Sequence, residues 1–250
     1  MTRVGVISDT HVPEFVAQLP SCLTQIFAGV DVILHAGDIN DQRVLSELEA
    51  MAPVIAVRGD HDRRRGWLPR SRTFEIDGVQ FGLIHGEPRH WLEEPRTFLE
   101  TVSLGLLRWV PGRRRLRRRF PNAQVIVFGH FHRPVSRRID GCLQFCPGSV
   151  YRLDRLEAKR RLRTMPGWFE RCFLVVASLA IRPLPPPSVG LLEIRHGEVE
   201  ARIVVLSEWC RAKIQDTTFR QGLGRDQNSA TGERFPGVQP ADALLRRLTR

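Results

Sequence analysis

An α/β sandwich, with two mixed β-sheets and helices on the outside, is the fold that this 250-residue sequence predicts. Three observations predict it. Short β-branched runs alternate with stretches of helical spacing at the start; apolar runs later face one another across two-residue turns; and nearly every run ends in a polar cluster.

Residues 4–8, 32–34 and 54–57 are the opening strands. Between them, Pro20 followed by Cys22, Leu23, Ile26 and Phe27 predicts a helix with proline in its first turn. Asp41 ahead of Val44, Leu45, Leu48 and Met51 predicts a second helix, with Asp41 as its N-cap and an apolar stripe at three- and four-residue spacing. The pattern then changes to hairpins. Residues 73–76 and 79–84 flank Asp77-Gly78, and residues 135–139 and 142–145 flank Asp140-Gly141, a strong two-residue turn signal. Residues 123–128 supply another buried strand. A last pair, 191–195 and 199–206, turns at His196-Gly197. No internal repeat is present.

One domain is expected over residues 1–206, with two insertions. The first, about 93–120, is predicted helical and ends in the basic run G-R-R-R-L-R-R-R-F, a solvated helix face or a docking site for acidic lipid or nucleic acid. The second, about 151–187, carries Trp168, Phe169, Phe173, Leu174, Val175 and Val176, which suit a cap over a site or a segment dipping into a membrane interface. The tail, 207–250, is polar and glycine-rich and is expected to be mostly disordered. Lys159 and Lys213 are the only lysines among 38 basic residues, a skew expected from coding bias in a GC-rich genome rather than from selection for bidentate phosphate contacts. The net charge of +11 itself favours anionic partners: a phosphorylated substrate, an anionic membrane surface or nucleic acid. Five cysteines without a C-x-x-C pair predict reduced thiols. With no export signal at the start and no apolar run near the ~20 residues of a spanning helix, the chain is expected to be cytoplasmic, or peripheral to a membrane. The oligomeric state is not legible.

The chemistry lies at the strand ends. D-T-H (Asp9, His11) follows the first strand, H-A-G-D (Asp38) the second and G-D-H-D (Asp60, His61, Asp62) the third; I-H-G (His85) and G-H-F-H (His130, His132) follow later runs. Strand C-termini of an α/β sheet converge on one edge. So many carboxylates and imidazoles in one region require cations, because buried charge without a partner is too costly. Nitrogen and oxygen ligands without thiolate suit Mn²⁺ first, then Fe, Zn²⁺, Co²⁺ or Ni²⁺, rather than Ca²⁺ or an iron–sulfur cluster. Seven ligands point to two divalent ions sharing a carboxylate. Two ions ~3.5–4 Å apart clamp a phosphoryl group and deliver a metal-bound hydroxide for in-line attack. His35, inside its strand, reads instead as a hydrogen-bonded core residue.

Taken in order, D-x-H, G-D, G-(N/D)-H-D, H-G and G-H-x-H resemble the motifs of the calcineurin-like metallophosphoesterase superfamily. The short spacing and the C-P-G-S after the last hairpin resemble its small bacterial and archaeal phosphodiesterase branch, which also contains the retromer-type subunit. The resemblance covers residues 3–150 and resumes near 188–206. It implies a four-layer αββα fold and a ligand assignment: Asp9, His11, Asp38 and His132 for one ion, Asp38, Asp60, His85 and His130 for the other. It also implies His61 as the general acid that protonates the leaving oxygen, with Asp62 orienting its ring. The departure is Asp60, where the family commonly has asparagine; the extra negative charge implies tighter metal binding and a weaker pull on phosphate. The implied activity is hydrolysis of a phosphodiester or phosphomonoester. The alternatives are a non-catalytic binding scaffold of the same fold and a nuclease.

Overall fold

The structure, a computed structural model, describes residues 1–62, 68–86, 113–151, 159, 162–163, 174–175 and 185–206. Most of the 93–120 insertion, nearly all of 151–187 and the tail beyond 206 lie outside the described residues, and with them the expected cap, membrane-dipping segment and disordered tail.

The β-branched runs at the start become β1 (Thr2–Ile7), β2 (Val32–His35) and β3 (Val54–Ala56), which pair in parallel. The strands β9 (Ser188–Arg195) and β10 (Glu198–Val205) add to the β1 edge in antiparallel fashion, giving a five-stranded sheet of order β10-β9-β1-β2-β3. The second sheet has the order β4-β5-β6-β8-β7, from β4 (Ser71–Ile76), β5 (Val79–Ile84), β6 (Val125–Val127), β7 (Val135–Ile139) and β8 (Cys142–Cys146). It too is mixed, with β5, β6 and β8 parallel and a hairpin at either edge. The sandwich of two mixed sheets is thus the predicted one.

All three hairpins turn as their sequences demand. The paired φ values are 49° and 75° at Asp77-Gly78, 49° and 76° at Asp140-Gly141, and 51° and 79° at His196-Gly197. Two successive left-handed residues match the right-handed twist of the flanking strands.

Alternation along the strands separates the layers. Val4, Val6, Val32, Leu34, Ile55 and Val57 of the first sheet face Phe74, Phe81, Leu83, Val125, Val127 and Phe145 of the second, in a fully apolar centre. Ile7, Ile33 and Val189 point the other way, onto α1 (Leu23–Ile26) and α2 (Gln42–Glu49). Asp41 caps α2, accepting from the Arg43 backbone N–H at 2.9 Å, and Val44, Leu45 and Leu48 are its buried stripe. The helix expected after Pro20 has only four residues; Leu23 N–H reaches back to Pro20 O at 3.0 Å, so the proline closes a turn ahead of it. On the far side, α3 (Arg113–Arg119) lays Leu116, with Phe120 beyond its end, against Ile84, Ile126 and Phe128. Each large side chain buried in this way contributes about 1.5–3 kcal/mol. The layers are therefore helix, sheet, sheet, helix. Among the described residues no helix is long and apolar enough to cross a membrane, and Cys22, Cys142 and Cys146 are buried and form no disulfide.

Candidate metal centre

Beyond the ends of β1 and β2 the backbone pairing continues in irregular form: Ala36 N–H donates to Ile7 O, Asp9 N–H to Gly37 O and His11 N–H to Asp38 O, at 2.9–3.0 Å. These bonds lace the D-T-H and G-D segments together. Asp9, His11, Asp38, Asn40, His130 and His132 all hold positive φ, between 46° and 76°, which turns their side chains back over the sheet edge. For residues with a Cβ this conformation costs on the order of 1 kcal/mol each. Gly59 and Gly129 allow the close approach: a Cβ at Gly59 would collide with the Asp38 carboxylate, and one at Gly129 would lie 2.9 Å from both Ala36 O and Asp9 Oδ2.

The second sheet contributes from opposite these segments. His130 N–H donates to Asp9 Oδ1 at 3.0 Å, and Gly129 N–H to His85 O at 2.8 Å. Among the described residues three groups of side chains have their ligand atoms within 4.8 Å of one another; two consist wholly of the expected ligands, Asp9, His11, Asp38 and His132, and Asp60, His85 and His130, while the third is His11, Glu14 and His61 at the mouth. Asp38 joins the first two. Its Oδ2 lies 3.3 Å from His11 Nε2 and 3.1 Å from His85 Nε2. Asp9 Oδ1 lies 3.3 Å from His132 Nε2, and Asp60 Oδ2 lies 3.3 Å from His130 Nδ1. All seven side chains expected to act as ligands therefore meet at one place.

The donor set fits divalent cations. His11 Nε2 and His85 Nε2 are buried beside carboxylates yet make no hydrogen bond, the position of nitrogens whose lone pairs face an ion. The far side of the His85 ring is held. His85 Nδ1 donates to Ala36 O at 2.7 Å; a carbonyl can only accept, so Nε2 is the nitrogen left to face an ion. His132 Nδ1 lies 2.8 Å from the Tyr151 hydroxyl. The Ser8 hydroxyl holds Asp9 Oδ2 at 2.6 Å. Such partners fix ring and carboxylate orientation around a metal.

Proton affinities reflect the crowding. Burial opposes the charge on Asp9, but the imidazoles of His132 and His85 outweigh it and bring its carboxyl down to about 2. Asp38 is likewise held well below the usual range, against its burial, chiefly by His85. Burial lowers His85, yet Asp38 and Asp9 overcome this and lift it to about 10. Burial lowers His11. Without a cation the carboxylates thus draw protons onto a neighbouring imidazole, and an ion would displace them.

Sequence reasoning placed Asp62 against the His61 ring, and the structure differs. The Asp62 carboxylate is buried and accepts from three backbone groups, Ile39 N–H, Asn40 N–H and Gly59 N–H, at 2.9–3.2 Å. It clips the segment after β2 to the segment after β3. His61 sits at the mouth, its side chain 42% exposed, with its backbone N–H on Asp38 Oδ1 at 2.9 Å. The carboxylate facing its ring is Glu14, 3.4 Å from Nδ1, and their hydrogen bond lifts His61 to about 8. Glu14, Tyr151 and Ser8 were missed as functional positions. Only Tyr151, the single tyrosine of the chain and one residue beyond C-P-G-S-V, carried a hint. His35 is buried as expected: Gly37 N–H donates to its Nδ1, and its Nε2 meets Thr10 Oγ1, both at 3.2 Å.

Residues 2–161 match the family model of the calcineurin-like phosphoesterase superfamily domain. The chain belongs to this superfamily. A probable metallophosphoesterase of Methanothermobacter thermautotrophicus is 38% identical over 149 residues, covering 58% of this chain and 76% of that protein. A phosphodiesterase of Methanocaldococcus jannaschii is 25% identical over 162 residues, covering 58% of this chain and 82% of its own. Among solved structures, a Vps29 single mutant from Entamoeba histolytica superposes with a TM-score of 0.53 at 21% identity, over 81% of this chain and 98% of that one, a likeness of fold. The calcineurin-like domain accounts for the placement of the site, at the edge where both sheets end.

Proposed function

We propose that the chain hydrolyses a phosphodiester or phosphomonoester at two adjoining divalent-cation sites, Asp9, His11, Asp38 and His132 for one and Asp38, Asp60, His85 and His130 for the other. The observation that carries this reading is Asp38 Oδ2, set between His11 Nε2 and His85 Nε2. Two ions held there, Mn²⁺ first among the candidates, would polarise the phosphoryl oxygens and activate a water for in-line attack.

The chain's own residues do the rest. Tyr151 and Ala36 O keep the His132 and His85 rings turned so that Nε2 faces inward. Ser8 and His130 N–H hold Asp9. His61, at the mouth and tethered through its backbone to Asp38, is placed to give a proton to the leaving oxygen. Asp62 holds the two segments that carry Asp38 and His61 in register.

The test is metal analysis of the purified protein, followed by hydrolysis of bis-p-nitrophenyl phosphate against p-nitrophenyl phosphate with Mn²⁺ added. Two ions per chain, turnover that favours the diester, and loss of both in Asp38→Asn are expected. A fully metal-loaded protein that cleaves neither ester would sink the hydrolytic reading in favour of a binding scaffold.

A further inference from the structure

We infer that Glu14 is the positioning residue for His61, keeping the ring turned so that its Nε2 faces the leaving group; the inference rests on the hydrolytic reading above. Glu14 belongs to none of the motifs. It follows D-T-H-V-P in the turn after β1, where Phe15 N–H donates to His11 O at 2.7 Å and folds the Glu14 side chain back over His11. One oxygen, Oε2, then meets three nitrogens: Asn40 Nδ2 at 2.5 Å, His61 Nδ1 at 3.4 Å and His11 Nδ1 at 3.5 Å. These come from the segments after β1, β2 and β3, so a single carboxylate ties together three strand ends.

An imidazole acts as a general acid through one nitrogen, and the other must keep its proton. With Nδ1–H directed at Glu14, the second nitrogen, Nε2, is left to carry the transferable proton. As the bond from phosphorus to the leaving oxygen breaks, its electron pair goes to that oxygen, which takes the proton from Nε2. The ring is left neutral, with its remaining proton on Nδ1 facing Glu14. Asp62 cannot share this task, because its oxygens are committed to Ile39, Asn40 and Gly59 N–H groups.

A purely structural carboxylate would affect all substrates alike, whereas one that serves the acid acts only where the leaving group needs a proton. The metal-loaded protein is therefore assayed on bis-p-nitrophenyl phosphate, whose p-nitrophenolate leaves unprotonated, and on diphenyl phosphate, whose phenolate is more basic. Glu14→Ala is expected to lower kcat on diphenyl phosphate by about 10- to 100-fold, the range for partners behind a working group, with metal content unchanged. On the nitrophenyl diester the loss is expected to stay within about threefold, against the 10²–10⁴-fold that acid catalysis supplies where it is needed. Glu14→Gln, which keeps an acceptor oxygen, is expected to recover part of the rate on diphenyl phosphate. It also supplies the contrast if the alanine variant folds poorly. His61→Ala is expected to show the same leaving-group dependence, with little further loss in the double variant.

A second readout is independent of turnover. In chelated protein, long-range ¹⁵N correlation spectra of neutral His61 are expected to show the Nδ1–H tautomer, shifting to Nε2–H in Glu14→Ala. Equal losses on the two esters, loss of metal, or an unchanged tautomer would overturn this inference alone. Failure of the unsubstituted, metal-loaded protein on both esters would overturn the hydrolytic reading, and this inference with it.

Discussion

Asp60 and His35 show how differently two polar residues near the same edge are used. Asp60 offers Oδ2 to the group with His85 and His130, adding a third carboxylate to those of Asp9 and Asp38. Replacing it with asparagine removes one negative charge from that group. In Asp60→Asn, Mn²⁺ affinity is expected to fall and the acidic limb of the pH–rate profile to move to lower pH. A titration followed by pH–rate measurements checks both, and an unmoved limb would remove the charge argument. His35 is fully buried and neutral; burial pushes its pKa down to about 4, and Gly37 N–H occupies the nitrogen that a second proton would need. Its folded pKa lies below the unfolded value of 6.5. Between pH 6.5 and about 4, then, the unfolded chain takes up a proton that the folded chain refuses, and stability falls with pH across that window. The penalty is on the order of 3 kcal/mol when complete. Urea unfolding in EDTA is expected to show the native protein losing its advantage over His35→Asn as the pH drops from 6.5 to 4.

The clustered Asp and His residues were legible because each follows an apolar run, and strand ends converge. Glu14 and Tyr151 were not, because nothing local distinguishes a carboxylate that folds back over His11 from one in solvent. The hairpins were equally plain, since Asp-Gly dictates a turn wherever it falls. α3 was harder, because its composition says only that it is basic. What fixes it is the far end, where the Phe120 ring lies over Gly82 of β5; a Cβ there would sit 2.5–2.9 Å from the ring carbons. Arg117 supports the same end by donating to Ala123 O at 2.8 Å and to Phe120 O at 3.3 Å. Glycine inside β5 is therefore the seat of the helix. Gly82→Ala is expected to destabilise by about 1–3 kcal/mol through overpacking, and Phe120→Ala by about 3–5 kcal/mol through the cavity it leaves. Together they are expected to cost less than their sum, because the smaller side chain at 120 makes room for the new methyl. A double-mutant cycle in chemical denaturation checks this, and additive losses would mean that ring and strand do not meet.

Each of the two ligand groups draws on both sheets. Asp9, His11 and Asp38 follow strands of the first sheet while His132 follows β6 of the second; Asp60 follows the first while His85 and His130 follow the second. A cation at either place would therefore staple one sheet to the other at the edge where the left-handed residues and clustered carboxylates lie. Binding energy realised only in the folded chain adds to its stability. At a metal concentration of about 100 times Kd, one ion adds about 2.7 kcal/mol, which moves the unfolding midpoint of a chain of this size by roughly 5–10 °C. Adding Mn²⁺ to chelated protein is expected to raise Tm by at least that much. His132→Ala and His85→Ala, which each break one group from the second sheet, are expected to lose about half of the rise, each measured against its own midpoint in EDTA. Asp38→Asn, which touches both groups, is expected to lose nearly all of it. Differential scanning calorimetry with and without Mn²⁺ measures all four proteins, and a rise that persists undiminished in Asp38→Asn would show that the ion binds elsewhere and that no cation joins the sheets.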